Sequence, residues 1–469
     1  MRRAPRWLPI LILILVSCSG TGSDAPTTTS PAATALPATT TADDATTTAT
    51  EGTTTSAASA TTVPPAREEL LFDEIIAPAG GTDVTLMIGP DGNPVIAYFD
   101  WQAVRLLRCT DPICAGVPEI ATVTTDAGQM QWKLAAVLPD GNPVFSVGAV
   151  TGDPEGGVPF GEGSLYLCDD PICQTGSPIY LGVRPPYGFA DSWNDFGSAV
   201  FIDPASGLPT VAAADQGALV VLSCLDAACE QLSSEIVAET EDPNGWPRFK
   251  DAAMLPGGEI AVLWNGFKRT APDDSEPLGE FHGTHSMWLT ICADARCSTD
   301  SINVALGDGS WGVLFAGADG SLVAVTQALP WEDVLVSAVR CADSMCSSIA
   351  TSTPGFDPTH WVFDPEFPDD EAVYAVDYAA VGSDGMPVAF VGAMRHVNPE
   401  VTVAGGAYVT HCDDAVCSSG ETTQIGEGLG GDVRGADIAI GAGGLPLIAY
   451  SAADGLHLIR CPDLECTPP

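Results

Sequence analysis

The apolar and polar positions of the chain repeat one short unit of strands and turns. An apolar run leads into a glycine turn at residues 90–93, and a second apolar run follows at once at 94–98. Asp-Gly and Gly-Gly pairs between apolar runs are typical of β-hairpins. A third apolar stretch (Val104–Arg108) leads into a cysteine, and a fourth (Glu119–Thr124) follows a second cysteine. The pattern therefore predicts four antiparallel strands in each unit.

The unit recurs seven times, and each copy carries two cysteines in the pattern Cys-x-Asp-x-x-Cys. Successive first cysteines are separated by 59, 56, 68, 49, 71 and 49 residues. Repeats of this length are typical of propellers and solenoids. The seven pairs are Cys109/Cys114, Cys168/Cys173, Cys224/Cys229, Cys292/Cys297, Cys341/Cys346, Cys412/Cys417 and Cys461/Cys466.

The two ends of the array complement each other. Only residues 467–469 follow the last cysteine, whereas a spare apolar stretch at residues 69–76 precedes the first unit. Pairing this stretch with the incomplete last unit would close a ring and remove its open seam. We therefore expect an all-β fold, a seven-bladed β-propeller of four-stranded antiparallel blades, closed by an N-terminal strand that completes the last blade. A β-solenoid, which would not need the spare strand, is the alternative.

The first residues have the composition of an export signal. Three arginines precede an apolar run at residues 8–16, which is too short to span a bilayer as a helix. The sequence Leu-Val-Ser-Cys at residues 15–18 resembles the bacterial lipobox, and this resemblance implies cleavage before Cys18 and a lipid on its thiol. An ordinary signal peptide with an incidental cysteine is the alternative.

The stretch that follows consists mostly of Thr, Ala, Ser and Pro, whose low hydrophobicity cannot offset the entropy cost of ordering. The expected organisation is a lipoprotein signal peptide (1–17), a lipid-anchored disordered linker (18–67) and the propeller (68–469). The expected location is the extracytoplasmic side of the cell membrane, with the lipid anchor as the membrane contact.

The charge balance narrows the range of partners. The chain has 61 acidic and 17 basic side chains, a formal net charge of −44 at pH 7, and 45% apolar residues, enough for a buried core. Such a negative field repels polyanions, so we expect neither nucleic acid nor a bare anionic lipid surface as a partner. We expect the protein to be a monomer that binds an extracellular glycan, peptide or protein.

The repeated cysteine motif has two chemical interpretations. A tetrahedral metal site needs about four ligands, and each pair supplies only two, so an exported chain favours seven disulfides that link the third and fourth strands across their hairpins. Cys18 is then the odd cysteine, as lipidation requires. The aspartate of each motif is a calcium ligand or, as its recurrence in every unit favours, an acceptor for backbone N–H groups in a tight turn. These aspartates are Asp111, Asp170, Asp226, Asp294, Asp343, Asp414 and Asp463.

Strand order divides the connections between two faces of the ring. Turns between first and second strands and the cysteine hairpins share one face, here called the hairpin face. Connections between second and third strands and between blades share the other, here called the long-loop face. The long excursions fall on the latter, at 149–163, 183–195, 241–247, 265–285, 354–371 and 393–405.

Long loops on a rigid scaffold commonly carry binding sites. Aromatic side chains beside carboxylates there would suit a sugar or peptide, because ring faces stack while acids accept protons from hydroxyl groups. The candidate ligand-binding residues are Trp193, Trp246, Trp361, Tyr187, Phe281, His285, His360 and Arg395. We predict no cofactor. The pair His282/His285 lacks a third zinc ligand, and the acidic run 364–371 lacks an ordered calcium loop, which leaves calcium as a weak candidate.

The repeat Asp-Gly-x-Pro-Val-x-x-Tyr followed by Cys-x-Asp-x-x-Cys, over residues 68–466, resembles repeats of exported bacterial β-propeller proteins. These proteins are similar in architecture to sialidases, but the sialidase Asp-box is missing from all seven units. A sialidase site also needs three clustered arginines, and no motif ties Arg184, Arg269 and Arg395 together. The resemblance implies the fold and does not imply the sialidase activity.

Two hypotheses follow for the long-loop face. In the first, a non-catalytic surface lipoprotein binds its ligand there. In the second, an extracellular glycoside hydrolase or lyase uses carboxylates and histidines such as Asp191, Asp195, His285 and His360. The sequence contains no Gly-x-Ser-x-Gly elbow and no phosphate-binding loop, which favours binding.

Replacing Cys18 with alanine tests the lipoprotein hypothesis. Because the lipid would be attached to this thiol, Cys18→Ala should move the protein from the membrane pellet to the soluble fraction on cell fractionation. Ser30→Ala, a change in the same low-complexity stretch, should leave it in the pellet. A Cys18→Ala protein that stays in the pellet would rule out the lipobox.

Overall fold

A computed structural model of the chain describes residues 73–78, 81–100, 103–124, 130–131, 135–151, 160–183, 198–215, 217–239, 246–269, 283–299, 301–308, 311–317, 320–328, 335–341, 346, 348–352, 372–398, 401–415, 417–426, 435–452 and 454–468. Cys18 and the predicted signal peptide and linker lie outside these residues. All the regular structure in the described ranges is β-strand, and they include no helix with the length and apolar character to cross a membrane.

The strands form seven antiparallel sheets, the predicted blades, and we number the strands from the N-terminus. Blade 1 contains β2 (Thr82–Ile88), β3 (Pro94–Phe99), β4 (Val104–Arg108) and β5 (Glu119–Thr124). Blade 2 contains β6 (Met130–Gln131), β7 (Ala135–Val137), β8 (Pro143–Thr151), β9 (Phe160–Cys168) and β10 (Gly176–Tyr180), with β6 and β7 both paired to β8. Blade 3 contains β11 (Ser198–Ile202), β12 (Pro209–Asp215), β13 (Ala218–Cys224) and β14 (Leu232–Glu239).

The second half of the chain continues the pattern. Blade 4 contains β15 (Trp246–Met254), β16 (Ile260–Arg269), β17 (Gly283–Cys292) and β18 (Ser301–Asp308). Blade 5 contains β19 (Trp311–Ala316), β20 (Leu322–Ala328), β21 (Leu335–Cys341) and β22 (Ile349–Ser352). Blade 6 contains β23 (Ala372–Val381), β24 (Pro387–Asn398), β25 (Val401–Cys412) and β26 (Gly420–Gly426). Blade 7 contains β27 (Ala436–Ile440), β28 (Pro446–Ala452), β29 (Gly455–Arg460) and, as its fourth strand, β1 (Asp73–Ala77).

The position of β1 confirms the predicted closure of the ring. It pairs antiparallel with β29, with Asp73 opposite Ile459 and Ala77 opposite Leu456. The inner strands of blades 7 and 1 (β27 and β2) are also in contact, so the first and last blades are neighbours. The glycines predicted at the turns between first and second strands have φ between 75° and 91°, values that suit glycine at little cost. These glycines are Gly92, Gly141, Gly320, Gly385 and Gly444.

All seven predicted disulfides are present. Each joins cysteines five positions apart, and their Cα–Cα distances lie between 4.4 and 4.9 Å. The bonded pairs are Cys109–Cys114, Cys168–Cys173, Cys224–Cys229, Cys292–Cys297, Cys341–Cys346, Cys412–Cys417 and Cys461–Cys466.

The expectation that these disulfides link two paired strands was wrong for the second cysteine of each pair. That cysteine lies in a turn after the third strand, with φ between 49° and 56°, the left-handed region that non-glycine residues seldom adopt. In each of the six turns whose motif aspartate the structure describes, its N–H donates to the carbonyl oxygen of that aspartate, as Cys114 does to Asp111 at 3.0 Å. Each disulfide therefore closes a turn at the end of the third strand. The correction applies to Cys114, Cys173, Cys229, Cys297, Cys346, Cys417 and Cys466.

The motif aspartate organises this turn, as predicted. Asp111 accepts hydrogen bonds from the backbone N–H groups of Ile113, Ala115 and Gly116 at 2.9–3.1 Å. Burial would raise the pKa of Asp111, but these donors outweigh it and hold the pKa below its ordinary value. Asp170, Asp226, Asp294, Asp414 and Asp463 accept equivalent bonds. Asp343 lies outside the described residues.

The disulfides also connect neighbouring blades, which the expectation of a local hairpin staple missed. Every one of the fourteen cysteines is at most 7% exposed. Each pair belongs to an apolar cluster formed with the preceding blade, as Cys109 and Cys114 pack with Leu447 and Leu456 of blade 7. The turn thus inserts between two sheets and fills part of the core that they share.

Polar contacts reinforce four of these blade interfaces on the hairpin face. Arg108 of blade 1 donates to the carbonyl oxygen of Gly141 in blade 2 at 3.1 Å. Arg296 of blade 4 contacts Asp203 of blade 3 at 3.1 Å, and His411 of blade 6 contacts Glu465 of blade 7 at 3.2 Å. Arg460 of blade 7 donates to the carbonyl oxygen of Cys114 in blade 1 at 2.6 Å.

A cluster of titratable side chains fixes β1 in blade 7. The ring nitrogens of His457 lie 3.0 Å from Asp73 and 2.9 Å from Asp454, while Tyr450 donates to Asp73 at 2.6 Å and stacks on the His457 ring. Both carboxylates are acceptors, so only a doubly protonated imidazolium can donate to both. Burial alone would lower the pKa of His457, but these contacts outweigh it and raise the pKa above its ordinary value.

This cluster predicts that closure of the ring weakens at alkaline pH. The pKa of His457 is raised in the folded state. The stability that His457 contributes is therefore fully present below its ordinary pKa of about 6.5 and is lost as the pH rises through the raised pKa. His457→Gln should therefore lower the melting temperature by about 1–3 °C at pH 5.5 and by less at pH 9. Asp73→Asn, which removes one of the two carboxylates, should show the same trend. A melting-temperature difference that does not change with pH would contradict this role of His457.

Candidate functional site

The blades differ in how far they extend toward the long-loop face. The second strands all start immediately after the turns of the hairpin face, so extra length projects from the opposite face. Second and third strands have 9 to 12 residues in blades 2, 4 and 6. In blades 1, 3, 5 and 7 they have only 5 to 7. At about 3.3 Å per residue, the longest hairpin rises about 16 Å above a seven-residue neighbour.

We call the projecting parts of blades 2, 4 and 6 the raised hairpins. They alternate with low blades around the ring, and the two low blades 7 and 1 are adjacent. In blades 1, 3 and 7 only two to four residues connect the last paired residues of the second and third strands. Asp215 pairs with Ala218 in this way, and Ala452 pairs with Gly455. Among the described strands, the long-loop face therefore carries three raised hairpins separated by shorter ones.

Three of the eight candidate residues lie on raised hairpins. Trp246 and His285 are in strands of blade 4, and Arg395 is in β24 of blade 6, where it is opposite Val403. The expectation that 393–405 forms an irregular excursion was wrong, because β24 and β25 pair up to Asn398 and Val401. The other five candidates lie outside the described residues, namely Trp193, Tyr187, Phe281, Trp361 and His360.

The register of blade 4 brings two of these candidates into one row. Trp246 of β15 is opposite Phe267 of β16, and Phe267 is opposite His285 of β17. Phe267 was not singled out from the sequence, although an aromatic residue near the end of a long second strand is the signal that could have found it. The row crosses three neighbouring strands, at a level beyond the last paired residues of the second and third strands of blade 5.

A packed layer lies a few residues below this row. Trp264 and Trp288 are opposite each other in the register and their rings stack with centroids 5.8 Å apart. The indole N–H of Trp264 donates to Thr290 at 2.8 Å, and the Thr290 hydroxyl in turn donates to Asn303. Trp264 is 4% exposed and Thr290 is fully buried. This layer gives the wall of blade 4 a rigid base.

Two acids of the inner strands were missed by the sequence analysis. Asp251 of β15 accepts the N–H of Leu314 in blade 5, and Asp437 of β27 accepts the N–H of Leu86 in blade 1, both at 2.7 Å. Each acid lies seven residues before a turn glycine with positive φ, Gly258 or Gly444, so the positions are equivalent. An acid within an apolar inner strand is the only sequence signal that marks them.

Asp437 has an unusual protonation equilibrium. Its burial raises the pKa to about 7, the N–H donors of Leu86 and Ile438 only partly oppose that rise, and the negative charge of Asp251 adds to it. All four carboxylate oxygens of the two acids accept backbone N–H groups, the remaining two from Ala252 and Ile438. Through these hydrogen bonds, each acid connects its inner strand to the inner strand of the next blade.

In the part of the chain that the structure describes, no group of three or more His, Cys, Asp and Glu side chains is arranged to hold a metal ion. The acidic run 364–371 and His282, which the sequence analysis weighed as calcium and zinc ligands, lie outside the described residues. His285 lies in β17, and its partner in the register is Phe267.

No protein-family model matches the sequence, and no curated protein matches it significantly. A solved ulvan lyase of polysaccharide lyase family PL25 is similar, with 9% identity, a TM-score of 0.49, and coverage of 82% of this chain and 94% of the lyase. A Dyadobacter fermentans protein of unknown function has 12% identity, a TM-score of 0.44, and coverage of 82% and 96%. The GH93 α-L-arabinofuranosidase of Fusarium graminearum, solved with arabinobiose, has 10% identity, a TM-score of 0.42, and coverage of 83% and 97%. These similarities assign no activity to this chain.

The raised pKa of Asp437 predicts a pH-dependent stability. The folded state keeps a proton on this carboxyl up to about pH 7, whereas an unfolded aspartate loses it near pH ~4. The contribution of Asp437 to the free energy of unfolding therefore falls as the pH rises between these values. Asparagine keeps an acceptor for the Leu86 N–H and does not ionise. The free energy of unfolding of Asp437→Asn, relative to wild type, should therefore increase from pH 4 to pH 8 by up to about 4 kcal/mol.

The matched control is Asp140→Asn, which removes an exposed carboxylate in a turn of the hairpin face whose oxygen accepts the N–H of Asn142. Its denaturation profile should follow that of the wild type across the pH range. Parallel profiles for Asp437→Asn and wild type would show that Asp437 does not titrate in this window.

Proposed function

We propose that this protein is a cell-surface lipoprotein whose propeller binds an extracellular glycan at the long-loop face without transforming it. The observation that carries the proposal is the alternation of raised and shorter hairpins among the described strands of this one face. We expect the raised hairpins to form the walls of a binding cleft. A rigid scaffold that presents concave, partly aromatic walls is the usual form of a ligand site.

The opposite face supports the proposal by contrast. Its turns are short, its disulfides are buried between blades, and Arg108, Arg296 and Arg460 are engaged in contacts with neighbouring blades. Those contacts serve the closure of the ring. A ligand that competed for them would destabilise the propeller, so a binding role fits the long-loop face better.

Aromatic residues favour a glycan as the ligand of the raised hairpin of blade 4. The row Trp246–Phe267–His285 crosses three neighbouring strands, and its central residue, Phe267, lies in β16 with a paired strand on each side. Aromatic rings offer apolar faces to the C–H groups of a sugar ring. We therefore favour recognition of a sugar by side chains over extension of the sheet by a peptide strand.

Replacing Trp246 with alanine tests the cleft directly. If the Trp246 ring stacks on a bound sugar, Trp246→Ala should weaken binding to the best ligand of a glycan array by about 1–3 kcal/mol, measured by calorimetry. Asp140→Ala, on the hairpin face, should leave the affinity unchanged. Equal losses for both variants, or a loss that follows the melting temperature, would contradict binding at the long-loop face.

The fate of the bound glycan distinguishes the proposal from the alternative, a glycoside hydrolase or lyase. Under the proposal, the bound glycan is recovered intact after prolonged incubation with the protein, as judged by mass spectrometry. Shortened chains or unsaturated ends would identify an enzyme. Asp191, Asp195, His285 and His360 would then be the first residues to replace.

A further inference from the structure

The outermost strand of each blade, here called its outer strand, forms an edge of the sheet. An edge presents N–H and C=O groups that can pair with a strand of another molecule, and proteins commonly protect it with charged residues, proline or a very short strand. Five of the seven outer strands contain a charged residue or a proline. These residues are Asp73 and Glu74 of β1, Glu119 of β5, Pro178 of β10, Glu235 and Glu239 of β14, and Glu421 of β26.

The outer strands of the adjacent blades 4 and 5 differ from the other five. β18 has no charged residue and no proline from Ser301 to Gly307, and the same holds for β22 from Ile349 to Ser352. β22 is protected by its length of only four residues. β18 has eight residues, and among the described strands it ends the sheet of blade 4. It is therefore the outer strand with the least protection against pairing.

The regular part of β18 is its first five residues. Ser301 to Ala305 pair one to one with Cys292 to Trp288 of β17, and an irregularity follows before Gly307. A bulge of this kind twists an edge, which limits the flat part to residues 301–305. Within this part, Ile302, Asn303 and Ala305 are exposed.

Alternate residues of the flat part serve different neighbours. The side chains of Ser301 and Asn303 donate to the carbonyl oxygen of Val237 in blade 3, at 3.3 and 3.4 Å. Ile302 and Val304 are on the other side of the sheet, and Val304 packs against the apolar cluster shared with blade 5. Polar contacts thus tie β18 to blade 3, while its apolar side faces blade 5.

Blade 5 extends this apolar side across the interface. Ile302 is opposite Ile291 and Ile349 is opposite Cys341, and both partners belong to the cluster that the two blades share. Residues that are opposite each other share one side of a sheet, so the two exposed isoleucines face the same interface from its two sides. Ile302 is 38% exposed and Ile349 is 44% exposed. The edge of β18 is therefore accompanied by an exposed apolar surface.

The charge of the protein favours a second copy of the chain as the partner of this surface. The chain has 61 acidic and 17 basic side chains, so a basic partner would gain most from surfaces that carry acids. Two copies, each with a formal net charge of −44, repel each other and can associate only where no acids come together. A twofold axis places one strand against itself, so an acid in that strand would meet the same acid of the other copy. The flat part of β18 meets this requirement.

We infer that two copies of the protein associate through β18, with residues 301–305 paired antiparallel to the same residues of the second copy. The twofold axis would pass near Asn303, so that Ile302 of each copy is opposite Val304 of the other. Such pairs of β-branched residues stabilise antiparallel strands. The two blade 4 sheets would then form one sheet of eight strands. This inference departs from the monomer expected from the sequence, which does not show which strands are at an edge.

The surface consists of outer strands and includes none of the connections of the long-loop face. The inference is therefore independent of glycan binding, and either can fail without the other.

The experiment measures the mass of the purified full chain by sedimentation velocity over a range of protein and salt concentrations. All samples carry Cys18→Ala, so that no lipid contributes to association. Ile302→Glu places a carboxylate on the apolar side of β18. Ile236→Glu is the matched control, because Ile236 is an isoleucine of the outer strand β14 and is 61% exposed. Thermal melts confirm that both variants are folded.

We expect the parent chain to form a dimer that becomes tighter as added salt screens the repulsion between the acidic copies. Ile302→Glu should raise the dissociation constant by about tenfold or more, because the two new carboxylates would be diagonal neighbours about 7–8 Å apart. Ile236→Glu should leave the dissociation constant unchanged. A parent chain that is monomeric at every concentration, or equal effects of the two substitutions, would overturn the inference.

A mixture of two variants separates loss of pairing from loss of folding. Ile302→Lys should also be monomeric by itself, because two lysines would then face each other. Mixing equal amounts of folded Ile302→Lys and Ile302→Glu should restore a dimer, since opposite charges would meet near the twofold axis. A mixture that stays monomeric would contradict the antiparallel pairing of β18 with itself.

Discussion

The fold depends on the insertion of each cysteine turn into the interface with the preceding blade. A four-stranded sheet cannot bury both of its faces alone, so each blade needs a neighbour on either side. The disulfide turn fills the end of that shared interface, and all fourteen cysteines are at most 7% exposed. A repeat built in this way carries its own connection to the repeat before it. The seventh blade can then close on the first with the same contact, since Cys109 and Cys114 pack against blade 7.

Because of this construction, most contacts that hold neighbouring blades together lie away from the long-loop face. The packing of cysteine turns, the tight glycine turns and the ion pairs between blades are concentrated on the hairpin face. The inner strands are tied at a deeper level by Asp251 and Asp437. The second and third strands of alternate blades can therefore lengthen toward the long-loop face without disturbing the interfaces between blades. Loop variation on a fixed scaffold is a common route to binding sites.

The sequence was sufficient for the features that are local or repeated. The seven cysteine motifs, the Asp-Gly turns and the spare stretch before the first unit predicted the blades, the disulfides and the closure by β1. It was insufficient where the backbone departs from regular strand pairing. The left-handed conformation of Cys114 and its six equivalents follows from a six-residue ring that also contains the Asp111 turn. Likewise, the strand character of Arg395 depends on its pairing with Val403, which an irregular stretch of small and apolar residues does not reveal.

The few cations of the propeller show how the ring is held together on the hairpin face. There, Arg108 and Arg460 donate to carbonyl oxygens of the next blade, so each guanidinium satisfies acceptors that an apolar residue would leave buried without a partner. Lysine could not span these acceptors with the same planar geometry. In a chain with 17 basic residues against 61 acidic ones, the arginines at these positions thus serve the contacts between blades.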